Sequence, residues 1–313
     1  YIEENKKYKL FEIQKGDILI ALSGATTGKI GIYNLEQKSY LNQRVGKINA
    51  KTGISQKYIY YWYVCCNIDR KILNLAQGTA QPNISTNDIS NIKIPFPSLE
   101  RQQEIVKYLD FIYERANKTS TEKISELKKL NEFCLNNQKI FGDNVVKTLG
   151  EVCKFLPKSK RKASYGEKQG QYPFYTSSQT CSKYCDEYDY EEDCLIIGTG
   201  GNANIKYSSK FSCSTDNFVI KINLGQSVKY IYYYLSINIE VLQKGFVGVG
   251  LQHISKEYIT NIKIPIPSID RQKEIVDYCE YNDTLIKQLE KEIENNKKQA
   301  QQFITGIVKS QVQ

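Results

Sequence analysis

The chain has 313 residues, of which 41% are apolar and 25% charged, with a formal net charge of +9. That length can bury two cores of ordinary size, and no stretch approaches the eighteen uninterrupted apolar residues of a membrane helix, so a soluble protein with no membrane partner is expected. The nine cysteines are odd in number and scattered, as in reduced, buried thiols of a cytoplasmic protein.

In chain order, short strands are predicted at 17–21, 29–33 and 44–48, β-branched or aromatic runs bounded by Gly, Ser and Asn. Between the first two, SGATTGKI at 23–30 resembles a phosphate-binding loop. It has Ser23 where that pattern needs glycine and Ile30 where it needs a metal-binding hydroxyl, so nucleotide binding is not expected. Tyr58 to Cys66 is long enough and apolar enough for a buried helix. Pro95 and Pro97 then hold the chain extended, Ser98 stands where an N-cap belongs, and Glu100 favours the dipole of the helix that follows. Along that helix Ile105, Leu109, Ile112 and Ala116 open a seam. It lapses over Lys118 to Lys123 and resumes at Leu127, Leu130 and Cys134, which predicts a stutter or a bend.

Past that helix, KFLPKSKRKASYGEK at 154–168 carries Lys154, Lys158, Lys160, Arg161, Lys162 and Lys168 against one acid, Glu167. It reads as a loop that attracts polyanions, or else as a solvated surface. Tyr172 and Phe174 alternate as core aromatics do. Strands are predicted at 193–198, 205–207 and 217–222, and a helix at Tyr230 to Asn238. The turn GTGGNAN at 198–204 is glycine-rich after a strand but holds no complete G-x-G-x-x-G dinucleotide fingerprint; it is a tight turn able to bring backbone amides near phosphate. Cys181, Cys185, Cys194 and Cys213 are irregularly spaced for a four-thiolate zinc site. After Pro265, Pro267 and Ser268, the residues Ile275, Cys279, Asn282, Ile286, Leu289, Ile293, Asn296, Ala300, Phe303 and Ile307 alternate steps of four and three. That is a coiled-coil seam with two polar positions.

The chain says one thing twice. SNIKIPFPSLERQQEIVKYL at 90–109 returns as TNIKIPIPSIDRQKEIVDYC at 260–279, with 13 of 20 positions identical. QKYIYYWYV at 56–64 answers VKYIYYYLS at 228–236, and GDILIALSGATTGKIGIY at 16–33 answers EDCLIIGTGGNANIKY at 192–207. The period is that of a domain, not of a solenoid unit. A second copy opening near Val146 puts the start of the first copy before Tyr1, so an N-terminally truncated first domain is expected.

This order of domain, IPxPSxxRQxEIV helix, second domain and second helix resembles the specificity subunit of type I restriction-modification systems. Gln102 and Gln272 match the Gln-containing helix start of that family, and GQYPFYTSSQ at 170–179 and IIGTGGNANIKY at 196–207 are similar to its target recognition domain. The resemblance implies an α+β protein with two mixed α/β target recognition domains, separated by two long antiparallel coiled-coil helices and related by a pseudo-twofold axis. The expected boundaries are 1–97 for the first domain, 98–143 for the first helix, 144–267 for the second domain and 268–313 for the second helix. It also implies a non-catalytic subunit that reads a split target on double-stranded DNA and binds two methyltransferase subunits and the restriction, or translocase, subunits. S-adenosylmethionine, ATP and magnesium belong to those partners, and this chain has no cofactor. In keeping with that, there is no adenine-methylation motif, and the single histidine, His253, stands in a polar turn as a DNA-facing or structural residue.

The candidate DNA contacts are loop residues. Lys158, Lys160, Arg161 and Lys162 suit phosphates; Tyr175, Thr176, Ser177, Ser178 and Gln179 offer donors and acceptors to base edges, with Asn202, Asn204 and Lys206 approaching from the next loop. In the first copy the corresponding residues are Ser23, Thr26, Thr27, Lys29, Asn42, Gln43 and Arg44. Two other readings stay open. One is the recognition half of a fused restriction-methyltransferase; the other is a coiled-coil scaffold that binds protein and not DNA.

Overall fold

The computed structural model describes residues 6–75, 83–137, 145–250 and 252–310. The ends of the expected segments at 1–5, 138–144 and 311–313 lie outside them. The chain forms two compact units, Tyr1–Lys123 with Gln288–Gln313, and Ile124–Lys287.

In the second of these units, the strand Cys194–Gly198 is the centre of a four-stranded antiparallel sheet. It pairs with Ile205–Ser208 on one side and Asn217–Ile222 on the other, and the latter pairs with Cys153–Phe155. All five residues of the central strand are buried, and the reason is in the alternation of a pleated strand. Leu195 and Ile197 enter one core with Leu149, Ile220, Tyr230, Ile231 and Leu235. Cys194 and Ile196 enter another with Phe211, Cys213 and Val219. A sheet covered on both faces reads as a continuous apolar run, which CLII is. Beside it stands a three-stranded sheet in which Tyr172–Tyr175 pairs with Lys183–Cys185 antiparallel and with Ser212–Cys213 parallel.

The other unit has a three-stranded antiparallel sheet, with Ile18–Ala21 between Ile30–Ile32 and Val45–Ile48. Here only alternate residues, Ile18 and Ile20, are buried, as expected for a strand with one face on the core. These strands, and Cys194–Gly198, Ile205–Ser208 and Asn217–Ile222 of the second unit, fall within a residue of the predicted spans, whereas Cys153–Phe155, Lys183–Cys185 and Ser212–Cys213 were not predicted. The two apolar segments are helices, Gln56–Cys65 and Val228–Ile237.

The repeated motif has a structural purpose that recurs in each unit. Gln102 is fully buried. Its Oε1 accepts from the Ser55 amide at 2.8 Å and its Nε2 donates to the Pro97 carbonyl at 2.9 Å. Gln272, equally buried, accepts from the Ser227 amide at 2.8 Å and donates to the Pro267 carbonyl at 2.9 Å. Ser55 and Ser227 are the N-caps of the two apolar helices, so each glutamine ties the start of one helix to the start of another. Tyr58 and Tyr230 add a second tie, donating to the carbonyls of Pro95 and Pro265 at 3.0 and 2.8 Å. A buried amide with its donor and acceptor both paired fixes geometry that apolar packing alone leaves free. Ser98 and Ser268 cap the long helices as expected, each accepting from an amide three residues on at 3.3 Å.

The helix that starts at Leu99 is α-helical to Asp110, π-helical over Phe111–Ala116, and α-helical again over Asn117–Asn136. Its buried stripe runs Gln102, Ile105, Leu109, Ile112, Asn117 and Ser120, then Asn131 and Leu135. The step from Ile112 to Asn117 is five residues, and the wider π turn absorbs the extra one. The irregularity thus lies a turn before the expected lapse at Lys118 to Lys123. That lapse is a polar stretch in which Ser120 is buried, directly after the buried Asn117. Leu130, expected in the stripe, is exposed, with Asn131 in its place. The C-terminal helix is continuous over Ile269–Ser310. Within one unit its Ala300 and Ile304 pack with Ile105, Leu109 and Ile112, and the Phe303 ring meets Tyr108 at a tilt, 4.5 Å between ring centroids. Within the other, Ile275 and Cys279 share a core with Leu135. The two polar positions of the predicted seam have partners of their own kind: Asn296 donates to Asn117 at 3.0 Å and Asn282 to Asn131 at 2.7 Å.

Candidate nucleic-acid interface

In Ile124–Lys287, three loops line a shallow depression of about 720 Å³. One is Thr176 to Gln179, which follows the strand Tyr172–Tyr175. Another is the turn from Thr199 to Asn202, which follows Cys194–Gly198. The third brings His253, at the start of the short strand His253–Ile254. Thr176 and Ser178 share a hydroxyl hydrogen bond at 2.9 Å, and Ser178 also donates to the Thr180 carbonyl at 2.8 Å. Such short-range bonds give a polar loop a defined shape without a core. Gly198 is required where two of the loops meet: a Cβ there would lie 2.7 Å from the Asn204 amide and 3.0 Å from the Ser177 backbone. Ser178, Gln179 and Asn202 are exposed, with their polar groups at the surface.

Of the residues expected to touch DNA in this unit, two lie beneath the surface and a third is partly covered. Asn204 is 5% exposed and Lys206 8%. Tyr175 is half-buried, its ring 5.7 Å from Phe211 and its carbonyl bonded by the Ser214 amide at 2.8 Å. Strand alternation explains Lys206: it belongs to Ile205–Ser208, where it pairs with Ile196, and its side chain takes the same covered face of the sheet as that residue.

The basic loop is split in the same way. Lys158, Lys160 and Lys162 are exposed; the Lys158 ammonium rests 4.8 Å over the Phe218 ring. Arg161 is turned inward, donating to both carboxylate oxygens of Asp189 at 2.7 and 2.8 Å and to Glu187 at 2.9 Å. A guanidinium clamped in this way, over the Tyr165 ring at 4.3 Å, fixes the loop and has little left for a phosphate. The acidic stretch responsible, DEYDYEED at 186–193, also pairs Glu191 with Lys210 at 2.8 Å and Glu192 with Lys221. Counting charges in a sequence window missed it because it lies some thirty residues on. The depression also includes Lys183 and Asp216, neither of which is in the expected DNA set, and His253, expected as a DNA-facing or structural residue. Beside it, in the hairpin of Phe246–Val247 with His253–Ile254, Val247 and Val249 are strongly exposed.

In the other unit the hairpin between Ile18–Ala21 and Ile30–Ile32 carries Ser23, Thr26, Thr27 and Lys29. Thr26 and Lys29 are exposed. Thr27 is buried, with its hydroxyl donating to the Gly24 carbonyl at 2.7 Å, so it shapes the turn. Ser23 forms a bridge with Asn83. Asn42, Gln43 and Arg44 are exposed, and the Asn42 side chain accepts from the Arg44 amide at 2.8 Å.

Among the described residues no group of three or more His, Cys, Asp or Glu side chains is placed to hold a metal ion. Burial pushes the thiols of Cys194 and Cys213 up to about 12, the behaviour of neutral core cysteines. No described helix is long and apolar enough to cross a membrane.

The sequence profile of the type I restriction modification DNA specificity domain matches twice, over residues 1–129 and 142–295. The chain belongs to that family. Among its relatives is the MjaVIII specificity subunit of Methanocaldococcus jannaschii, 34% identical over 131 residues, a match covering 39% of this chain and 31% of that protein. The EcoR124I/EcoR124II specificity subunit of Escherichia coli is 25% identical over 338 residues, covering 96% of this chain and 81% of the relative. The matched part thus spans under a third of the M. jannaschii relative and most of the E. coli one. Among solved structures, the S subunit of a type I restriction-modification system from M. genitalium superposes with a TM-score of 0.58 at 20% identity, covering 96% of this chain and 83% of that one. The shared fold is a mixed α/β one with two domains.

Proposed function

We propose that this chain is the DNA specificity subunit of a type I restriction-modification complex, reading a two-part target with one recognition domain for each half. The observation that carries the reading is the double match of the specificity-domain profile, one match on each copy of the internal repeat. The recognition domains are 1–97 and 144–267, and the spacer helices 98–143 and 268–313. The two helices form an antiparallel coiled coil, so the recognition domains are related by a pseudo-twofold axis. The pairs Tyr108 with Phe303 and Asn117 with Asn296, and the pair Asn131 with Asn282, support this arrangement, since numbers rise along one helix as they fall along the other.

The reading surface proposed for the second domain is the depression of Thr176 to Gln179 and Asn202, flanked by Lys158, Lys160 and Lys162 for phosphates. For the first domain it is Ser23, Thr26, Lys29, Asn42, Gln43 and Arg44. Small polar loop tips beside exposed lysines divide the work as protein–DNA interfaces do, with lysines positioning and short polar side chains specifying. Catalysis falls to two methyltransferase subunits, which use S-adenosylmethionine, and to restriction subunits, which use ATP and magnesium. The test is DNA binding by the full chain with its methyltransferase partners as salt is varied. A steep loss of affinity with salt and preference for one split sequence support the reading; binding to those partners without DNA affinity would return the chain to the scaffold reading.

A further inference from the structure

Lys206 and Asn204 lie buried beneath the reading surface, and their hydrogen bonds run to its loops. Lys206 donates to the Thr176 carbonyl at 3.3 Å and to the Asn204 side-chain oxygen. Asn204 in turn donates to the Ser177 carbonyl at 2.8 Å and to the Asn202 carbonyl at 3.0 Å. Both side chains are over nine-tenths buried. We infer that Lys206 and Asn204 are a positioning pair, a buried strut that sets the spacing of the 176–179 loop and the 199–202 turn, and so the base preference of the second recognition domain.

The inference rests on the DNA-reading proposal above and changes the role of two residues within it. A loop of Thr, Ser and Gln has few apolar neighbours to hold it, and each of its positions must stay within a fraction of an ångström to discriminate bases. Here the anchoring comes from below. An ammonium buried without a carboxylate partner is costly, and this one bonds to a carbonyl of one loop and to an amide that grips both loops. An Asn or Lys replaced by an apolar group of equal size would take these donors away from the loop carbonyls and put nothing in their place. The lack of room for a Cβ at Gly198, against Asn204 and Ser177, belongs to the same close approach.

The experiment uses the full chain in complex with its methyltransferase partners and maps the bases methylated by the wild type, Lys206→Met, Asn204→Asp and Lys206→Arg. Methionine keeps the length and loses the donors; aspartate keeps the shape and loses the amide hydrogens. Both should relax preference in the half-site read by the second domain by about tenfold or more per affected base, with the other half-site as stringent as before. Lys206→Arg, which retains charge and donors, should restore part of the preference. Should Arg not fit and the variant not fold, the first two substitutions carry the test, each checked by its thermal unfolding. Folded variants with an unchanged preference, or equal relaxation in both half-sites, would overturn the strut. A wild-type complex without any sequence preference would instead overturn the DNA-reading proposal itself.

Discussion

A few buried polar side chains hold this protein's loops and helix starts, and they respond to substitution in different ways. Gln272→Ala would leave the Ser227 amide and the Pro267 carbonyl without their partners, at a cost of about 1–3 kcal/mol for each buried group. Thermal unfolding should shift down by several degrees, with Gln102→Ala giving a similar loss; Lys160→Ala, at an exposed position, should leave the midpoint alone. Lys206 gives a pH signature. Burial brings its pKa down to about 8 from the ordinary 10.5, so between those values the unfolded chain binds the proton and the folded chain does not. Stability should therefore rise with pH across that window. Cysteines and tyrosines titrate there too, so the measurement is the difference between the wild type and Lys206→Met in urea midpoint from pH 7.5 to 10. The variant's stability relative to the wild type should be highest at the low end and fall as pH rises; a difference independent of pH would contradict the buried charge.

At the scale of elements, the contact of the C-terminal helix within each unit combines apolar residues with one asparagine pair, Asn117 with Asn296 in one and Asn131 with Asn282 in the other. Replacing only Asn282 by Leu strands Asn131 in the buried stripe, while the double change to Leu removes both polar groups. The single variant should be destabilised by about 1–3 kcal/mol and the double variant should recover most of that loss or exceed the wild type in urea unfolding. Much of this element structure was legible in the sequence. Strands such as CLIIG, the proline-serine helix starts and the four-three spacing after Ser268 are local patterns, and local patterns survive folding. What was not legible depends on partners distant in sequence. Asn282 and Asn296 stood out in the periodicity, but Asn117 and Asn131 were hidden because a π turn shifts the stripe by one residue and polar residues carry no hydrophobic signal. Arg161 looked like the centre of a phosphate site until Asp189 and Glu187 came against it. Lys206 looked like a surface lysine because buried lysines are rare. For the exposed remainder of the basic loop, replacing Lys158, Lys160 and Lys162 by Ala should weaken binding to all DNA sequences alike. It should also reduce the salt dependence by roughly one counterion for each phosphate that is no longer neutralised. Unchanged affinity and slope would take the loop out of the interface.

For the whole molecule the proposal is a ruler. A paired helix length of about 30 to 38 residues at about 1.5 Å per residue spans roughly 45 to 57 Å. At about 3.4 Å per base pair, that places half-site centres on the order of 13 to 17 base pairs apart, read in inverted orientation with unread bases between. Removing one heptad from each helix with the seam kept in phase shortens the span by roughly 10 Å, or about 3 base pairs. The measurement that reaches this most directly is mapping of methylated sites in cells that express the complex, with the natural chain and with the shortened one. The account predicts a target in two parts for the natural chain, and the same two parts drawn together by about 3 base pairs in the shortened one. A continuous target, or a spacer that does not change when the helices are shortened, would contradict it.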